Sequence, residues 1–346
     1  MLPIWLLFLV PVWGALMPGR LRPRQAGWMW LGVGVLFAIV IGFRHEVGGD
    51  WGAYHRVFES TRRLTFSDAL TVGDPGYYGL GWLIGQMGGT VYWLNFACAS
   101  VLMWGTVAFS RRQPLPWLAL LAAVPYMLVV VGMGYTRQSA ALGFALLGLV
   151  ALAESRVRTF LVFLALGALF HKSAVLLVPI AVLAASRNRW VTGLTVLVTA
   201  PLLYYVLLQD SADQLWANYV ETQMQSEGAA IRAAMNALPA VILLLWRKRL
   251  LPDPAERRLW VWIAVIALGC IPLLLFASTA VDRVALYLLP LQMLVFARVP
   301  RLASATHVRT GLVLGIVGYY IAVQYVWLNF ATHAGYWLPY QFMPLS

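Results

Sequence analysis

The sequence predicts an all-α protein, a polytopic transmembrane bundle of about twelve segments in one domain over 1–346, with short amphipathic helices on its outer face. Three observations predict it: a composition too apolar for a core bounded by water, apolar runs of membrane length along the whole chain, and basic residues gathered in alternate connectors. Hydrophobic residues make up 61% of the 346 and charged residues 11%, with a mean hydropathy of +0.76. A soluble domain is about 45–50% apolar and about 25% charged. The excess needs lipid around it, because a watery surface requires polar groups that this chain lacks.

The apolar runs fall at 2–17, 28–43, 91–109, 115–133, 138–153, 159–170, 173–185, 190–208, 231–246, 259–277, 284–297 and 310–328. The first has no basic residues ahead of it, so it reads as a membrane helix rather than a cleaved signal. The runs 159–170 and 173–185 are short for a bilayer, and charge decides how they are joined. Treated as a hairpin broken at His171-Lys172, they put the connectors Arg20/Arg22/Arg24, Arg111/Arg112, Arg156/Arg158, Arg187/Arg189, Arg247 to Arg258 and Arg298/Arg301/Arg309 on one face. That face holds 17 of the 25 Lys+Arg against three acids, Glu154, Asp253 and Glu256. A single helix over 159–185 would invert every later loop. The hairpin satisfies the positive-inside rule, with both termini outside. The same rule explains the net charge of +12, so no nucleic-acid partner is expected.

Two longer outer loops follow, 44–78 and 209–230. In the second, Leu215, Trp216, Tyr219, Val220, Gln223 and Met224 share a helical stripe suited to the membrane surface. In the first, Trp51, Tyr54 and Phe58 have similar spacing. Cys98 and Cys270 lie inside apolar runs and read as small core residues. Gly143, Gly148, Gly311, Gly315 and Gly318 read as sites of close helix packing. No phosphate-binding glycine loop, zinc-protease helix or Cys/His metal spacing is present in the sequence, and no cofactor is expected.

The informative residues are cations on the face where topology disfavours them: Arg44, Arg137, His171-Lys172, Arg232 and Arg283. Singly, each has a plain reading as a snorkelling or capping side chain. Asp282-Arg283 could be a local ion pair, and Asp50 could cap a helix starting near Trp51. Together they make a ring suited to an anion on that side, and arginine forks suit phosphate.

In order, FRHEVGGDWGAYHRVF, DPGYYGL, TRQSAALG, FHKSAVLLVP, IRAAMNALPAVILLLWRKRL, STAVDRVALYLLPLQ and YWLPYQF resemble the EpsG family of Wzy-like exopolysaccharide and O-antigen polymerases. The leading pattern of an Arg, a Gly-Asp pair and a Tyr is met by Arg44, Gly49, Asp50 and Tyr54; Asp74 stands where a Glu is more usual. The resemblance covers nearly the whole chain. It implies a GT-C type glycosyltransferase in the bacterial cytoplasmic membrane, its active site facing outward. Such an enzyme transfers a glycan from undecaprenyl pyrophosphate to a hydroxyl of the next lipid-linked repeat unit. The implied partners are that lipid-linked donor and acceptor, the bilayer and a chain-length regulator.

On this reading Arg44, Arg137 and Arg283, helped by Arg232 and Lys172, hold the pyrophosphate. Tyr54, Asp74, Gln138 and Tyr287 contact the glycan. Inverting transfer needs a base for the acceptor hydroxyl, and the candidates are His171, Asp50, Asp74 and Asp282. His171 leads because it sits at a helix break and titrates near neutrality. No carboxylate cluster suits Mg²⁺, so metal-independent chemistry is expected. An O-antigen ligase, a transporter or flippase, and an O-acyltransferase working through His171 remain the alternatives.

Overall fold

The computed structural model describes residues 1–17, 23–179 and 229–345, with Trp190, Leu194 and Val198. Most of the runs 173–185 and 190–208, the loop 209–228 with its 215–224 stripe, and Arg20, Arg22, Arg187 and Arg189 lie outside the described residues.

The chain is an all-α membrane bundle. Among the described residues eight helices are long and apolar enough to cross a bilayer: Arg24–Gly42, Val91–Arg111, Pro116–Gly134, Thr136–Ala153, Ala229–Leu250, Pro254–Leu275, Val281–Leu302 and Thr306–Phe330. Leu2–Leu16 and Val157–Phe170 are shorter apolar helices. In chain order we label Leu2–Leu16 α1 and Pro23–Gly42 α2. The strand Arg44–His45 is β1, and Trp51–Thr61, Phe66–Thr71 and Pro75–Gln86 are α3 to α5. Val91–Arg111 is α6, Pro116–Gly134 is α7, Thr136–Ala153 is α8 and Val157–Phe170 is α9. Ala229–Leu250, Pro254–Leu288, Pro290–Arg298 and Thr306–Phe330 are α10 to α13, and Gln341–Phe342 is β2.

Proline starts several of these helices, where the missing N–H costs nothing: Pro75, Pro116, Pro254 and Pro290 stand at their first turns. Inside α7, Pro125 has no N–H to give, and the helix is π-wound over Val124–Val131. That helix is the axis of the bundle, with every residue from 118 to 134 buried. Beside it, α6 and α8 meet backbone to backbone. A Cβ on Gly105 would lie 2.1 Å from the Gly143 carbonyl oxygen, so only glycine fits. Gly148 faces Phe160 closely, but Gly311, Gly315 and Gly318 on α13 have nothing within 4 Å of a Cβ. The packing role expected for those three is corrected: among the described residues they have no close neighbour.

The charges separate to the two ends of the bundle. At one end Arg298 bonds Glu256 at 2.6 Å, the Leu250 carbonyl at 3.2 Å and Gln113 Oε1 at 3.2 Å, while Glu154 pairs with Arg112 and Arg156. The contact of Glu256 with Arg298 requires the chain between them to reverse, so α11 bends back between its two candidate spans, and Pro254–Leu275 and Val281–Leu302 run antiparallel. α9 ends at Phe170, His171 is extended (φ −161°, ψ 123°) and a 3₁₀ turn follows over Lys172–Leu176. The chain folds back there, since a Cβ on Gly167 would lie 3.2 Å from that of Ala174. The expected break at His171 is therefore present. At this end also lie α3 to α5, with Tyr54 and Phe58 buried on the inward stripe of α3.

Candidate active site

FRHEVGGDW leaves α2 and turns at once. Arg44–His45 pairs antiparallel with Gln341–Phe342, and the Gly48 N–H donates to the Tyr336 carbonyl at 2.8 Å. Gly48 has φ +103°, and a Cβ there would stand 2.3 Å from the Met133 carbonyl oxygen. No other residue fits that turn. It delivers Asp50 to the N-cap position of α3, yet the carboxylate makes no capping hydrogen bond. Asp50 is solvent-exposed, but partial burial raises its carboxyl above the ordinary value while Arg137 pulls it back down.

Arg44 points the other way. It is 1% exposed and spends three donors on protein: Nε to Val47 O at 3.1 Å, Nη1 to Ile41 O at 2.8 Å and Nη2 to Thr136 Oγ1 at 2.8 Å. Thr136 Oγ1 in turn donates to Asn95 Oδ1 at 3.3 Å. Arg44 thus ties the end of α2 to α8 from behind the cluster.

Arg137, next to Thr136 at the start of α8, faces outward with a side chain 37% exposed. Its Nη1 bonds Asp74 Oδ2 at 2.9 Å, and the Tyr54 hydroxyl is a second partner. Asp74 precedes α5 without capping it, so its carboxylate serves Arg137. Two residues expected at the glycan, Tyr54 and Asp74, therefore hold the arginine. Gln138 is the next residue of α8, half-buried.

His171 sits in the connector after α9, within electrostatic reach of Arg137, Arg283 and Lys172. Burial first, then those three cations, push the imidazole down to about 3, so it is neutral at physiological pH. Its Nδ1 accepts the backbone N–H of Ser173 at 3.2 Å. A nitrogen that accepts carries no proton, so the ring proton is on Nε2. Ser173 Oγ, 2.6 Å from Nδ1, must then donate to it, and Tyr287 O–H, 3.1 Å away, donates to Ser173. Tyr287, expected at the glycan, is buried behind this chain at 3% exposure.

Asp282 does not pair with its neighbour Arg283; it pairs with Arg232 of α10. The local Asp282–Arg283 ion pair is thereby corrected. The Arg232 guanidinium also stands over the Tyr126 ring, 5.7 Å from its centroid. Tyr135 lies within electrostatic reach of Asp282, Arg232 and Asp50.

Of the five connectors expected to converge, the structure brings Arg137, His171-Lys172 and Arg283 around one centre, with Arg232–Asp282 beside it and Arg44 beneath. Ser173 and Tyr135 had no role assigned from sequence; the Ser two residues after His171 was the readable signal. Among the described residues no three His, Cys, Asp or Glu side chains gather as a metal-binding group.

This is a multi-pass membrane protein with a cationic, carboxylate-flanked cluster at one end of its bundle. The EpsG family profile matches residues 27–342, and the chain belongs to the EpsG family. No curated protein and no solved structure matches it. Membership supports a polysaccharide-polymerase type of role, of the glycosyltransferase kind, in polysaccharide biosynthesis.

Proposed function

We propose that this protein joins undecaprenyl-pyrophosphate-linked repeat units into exopolysaccharide or O-antigen, at the outer leaflet of the bacterial cytoplasmic membrane. The observation that carries the reading is the gathering of Arg137, Arg283 and Lys172 around a neutral His171, with an uncapped Asp50 facing Arg137. Arg137, Arg283 and Lys172 hold the donor pyrophosphate, and His171 gives it the Nε2–H. Such donors gain strength as the glycosidic bond breaks and charge grows on the leaving oxygen.

Asp50 accepts the proton of the acceptor hydroxyl. The freed oxygen attacks the anomeric carbon from the face opposite the pyrophosphate, the C–O bond to pyrophosphate breaks, and undecaprenyl pyrophosphate leaves. Configuration inverts. In this scheme Asp74 and Tyr54 are positioning residues for Arg137, and Ser173 and Tyr287 for His171. Arg44 holds the Asp50 loop, and the Arg232–Asp282 pair closes one wall.

The test is a deletion strain. Long polymer should vanish and lipid-linked single repeat units accumulate, with both reversed by the wild-type gene. Normal polymer in the deletion strain would end the proposal. For sidedness, a cysteine at position 250 should resist labelling from outside intact cells while one at position 63 reacts; the opposite pattern reverses the orientation.

A further inference from the structure

Near Asp50, the segment after α13 carries aromatic rings that the transfer scheme leaves unused. It turns through a 3₁₀ helix over Ala334–Trp337 and is pinned at several points. Trp337 is 4% exposed, donates its Nε1–H to Val129 O at 3.1 Å and packs edge-on against Trp327. The Tyr336 carbonyl takes the Gly48 N–H, Tyr340 donates to Val40 O at 2.6 Å, and Met343 N–H donates to Phe43 O at 2.9 Å. On this rigid mount Tyr336 turns its ring outward, 58% exposed, and stacks with His333 at 6.2 Å and 27°. The ring lies over Gly49, where a Cβ would be 3.9 Å from it. Asp50 is the next residue.

We propose that Tyr336 and His333 form a stacking platform for the acceptor sugar. A pyranose presents one face of C–H groups and a rim of hydroxyls. An aromatic face carries partial negative charge, meets C–H groups favourably, and loses little entropy when its mount is already rigid. The platform adjoins the loop that carries Asp50, the carboxylate assigned to the acceptor hydroxyl. A sugar seated on Tyr336 is therefore the acceptor, with a rim hydroxyl toward Asp50.

This inference rests on the polymerase reading, and its test separates the two. The full chain in phospholipid nanodiscs is titrated with the oligosaccharide that mild acid releases from the host's own lipid-linked repeat unit, followed by saturation-transfer NMR. The wild type should bind through one C–H face. Tyr336→Ala should raise Kd about tenfold and shorten the polymer, while Tyr336→Phe and Tyr336→Trp keep binding. Tyr325→Ala, an exposed aromatic on α13, should leave Kd unchanged. An unaltered Kd in Tyr336→Ala overturns the platform, as does equal loss in the Phe and Trp variants. Lower membrane abundance at unchanged Kd would show a bilayer-interface anchor instead. Either result leaves the polymerase reading standing, because that reading fails only if the deletion strain makes normal polymer.

Discussion

Ser173 Oγ lies 2.6 Å from Nδ1 of His171, and that contact decides what the histidine can do. With Nδ1 accepting, the free edge of the ring is a donor. It resembles the ligand of an anion more than the acceptor of a proton, and for that reason the proposed scheme gives the base role to Asp50 instead of His171.

A Gln at position 171 can supply an N–H where Nε2 stood, and a Glu cannot. His171→Ala is expected to cut polymer synthesis by about 10²–10³-fold, the usual cost of one transition-state donor. His171→Gln should recover part of that loss and His171→Glu none. Glu outperforming Gln, at equal membrane abundance, would restore His171 as the base.

Arg137 reaches Asp74 and Tyr54 at once, which needs the planar guanidinium fork. Arg137→Lys keeps the charge but loses that geometry, so polymer should fall by about one to two orders of magnitude in complemented deletion cells. Arg283→Lys should behave alike. Chains of normal length from both variants would remove the pyrophosphate assignment.

The raised Asp50 carboxyl gives a pH signature. In the proposed scheme transfer needs the ionised form, so activity is present above its pKa and is lost as pH falls through a value raised from that of an ordinary aspartate. Arg137 is the cation opposing that rise, with Tyr54 and Tyr135 also facing the carboxylate. In proteoliposomes the acid limb of kcat/KM should move to lower pH as added positive charge approaches Asp50. Asp50→Asn should lose roughly 10²–10⁴-fold at every pH. A flat acid limb, or an active Asp50→Asn, assigns the base elsewhere.

Arg232 and Asp282 are largely enclosed and form an ion pair with one another. Removing one deprives the other of this ion pair, and a broken enclosed pair commonly costs about 3–5 kcal/mol, whereas replacing both by apolar groups costs far less. Arg232→Met and Asp282→Leu should each lower membrane abundance, and the double variant should restore it. Polymer made by the restored double variant would show that Asp282 takes no part in the chemistry.

The membrane segments were legible because hydropathy and connector charge are written locally. The break at His171 followed from charge parity alone, since every later loop depended on it. What each charged residue does was not legible. Arg44 and Arg137 look alike in sequence, each an arginine at a polar segment end. Their difference lies in Thr136 and Asp74, partners 92 and 63 residues away. Asp282 was read with its neighbour, but its partner is 50 residues distant, because α10 and α11 run side by side. The tautomer of His171 depends through Ser173 on Tyr287 of another helix, and no local pattern encodes it.

The pairing of Arg44–His45 with Gln341–Phe342 has a consequence for biosynthesis. The loop bearing Asp50 is made early, but the strand that pins it leaves the ribosome almost three hundred residues later. Until then the loop lacks its clamp, and Tyr336 is not yet beside it. In the proposed scheme, transfer by a chain already inserted in the bilayer therefore waits until Gln341–Phe342 docks on Arg44–His45.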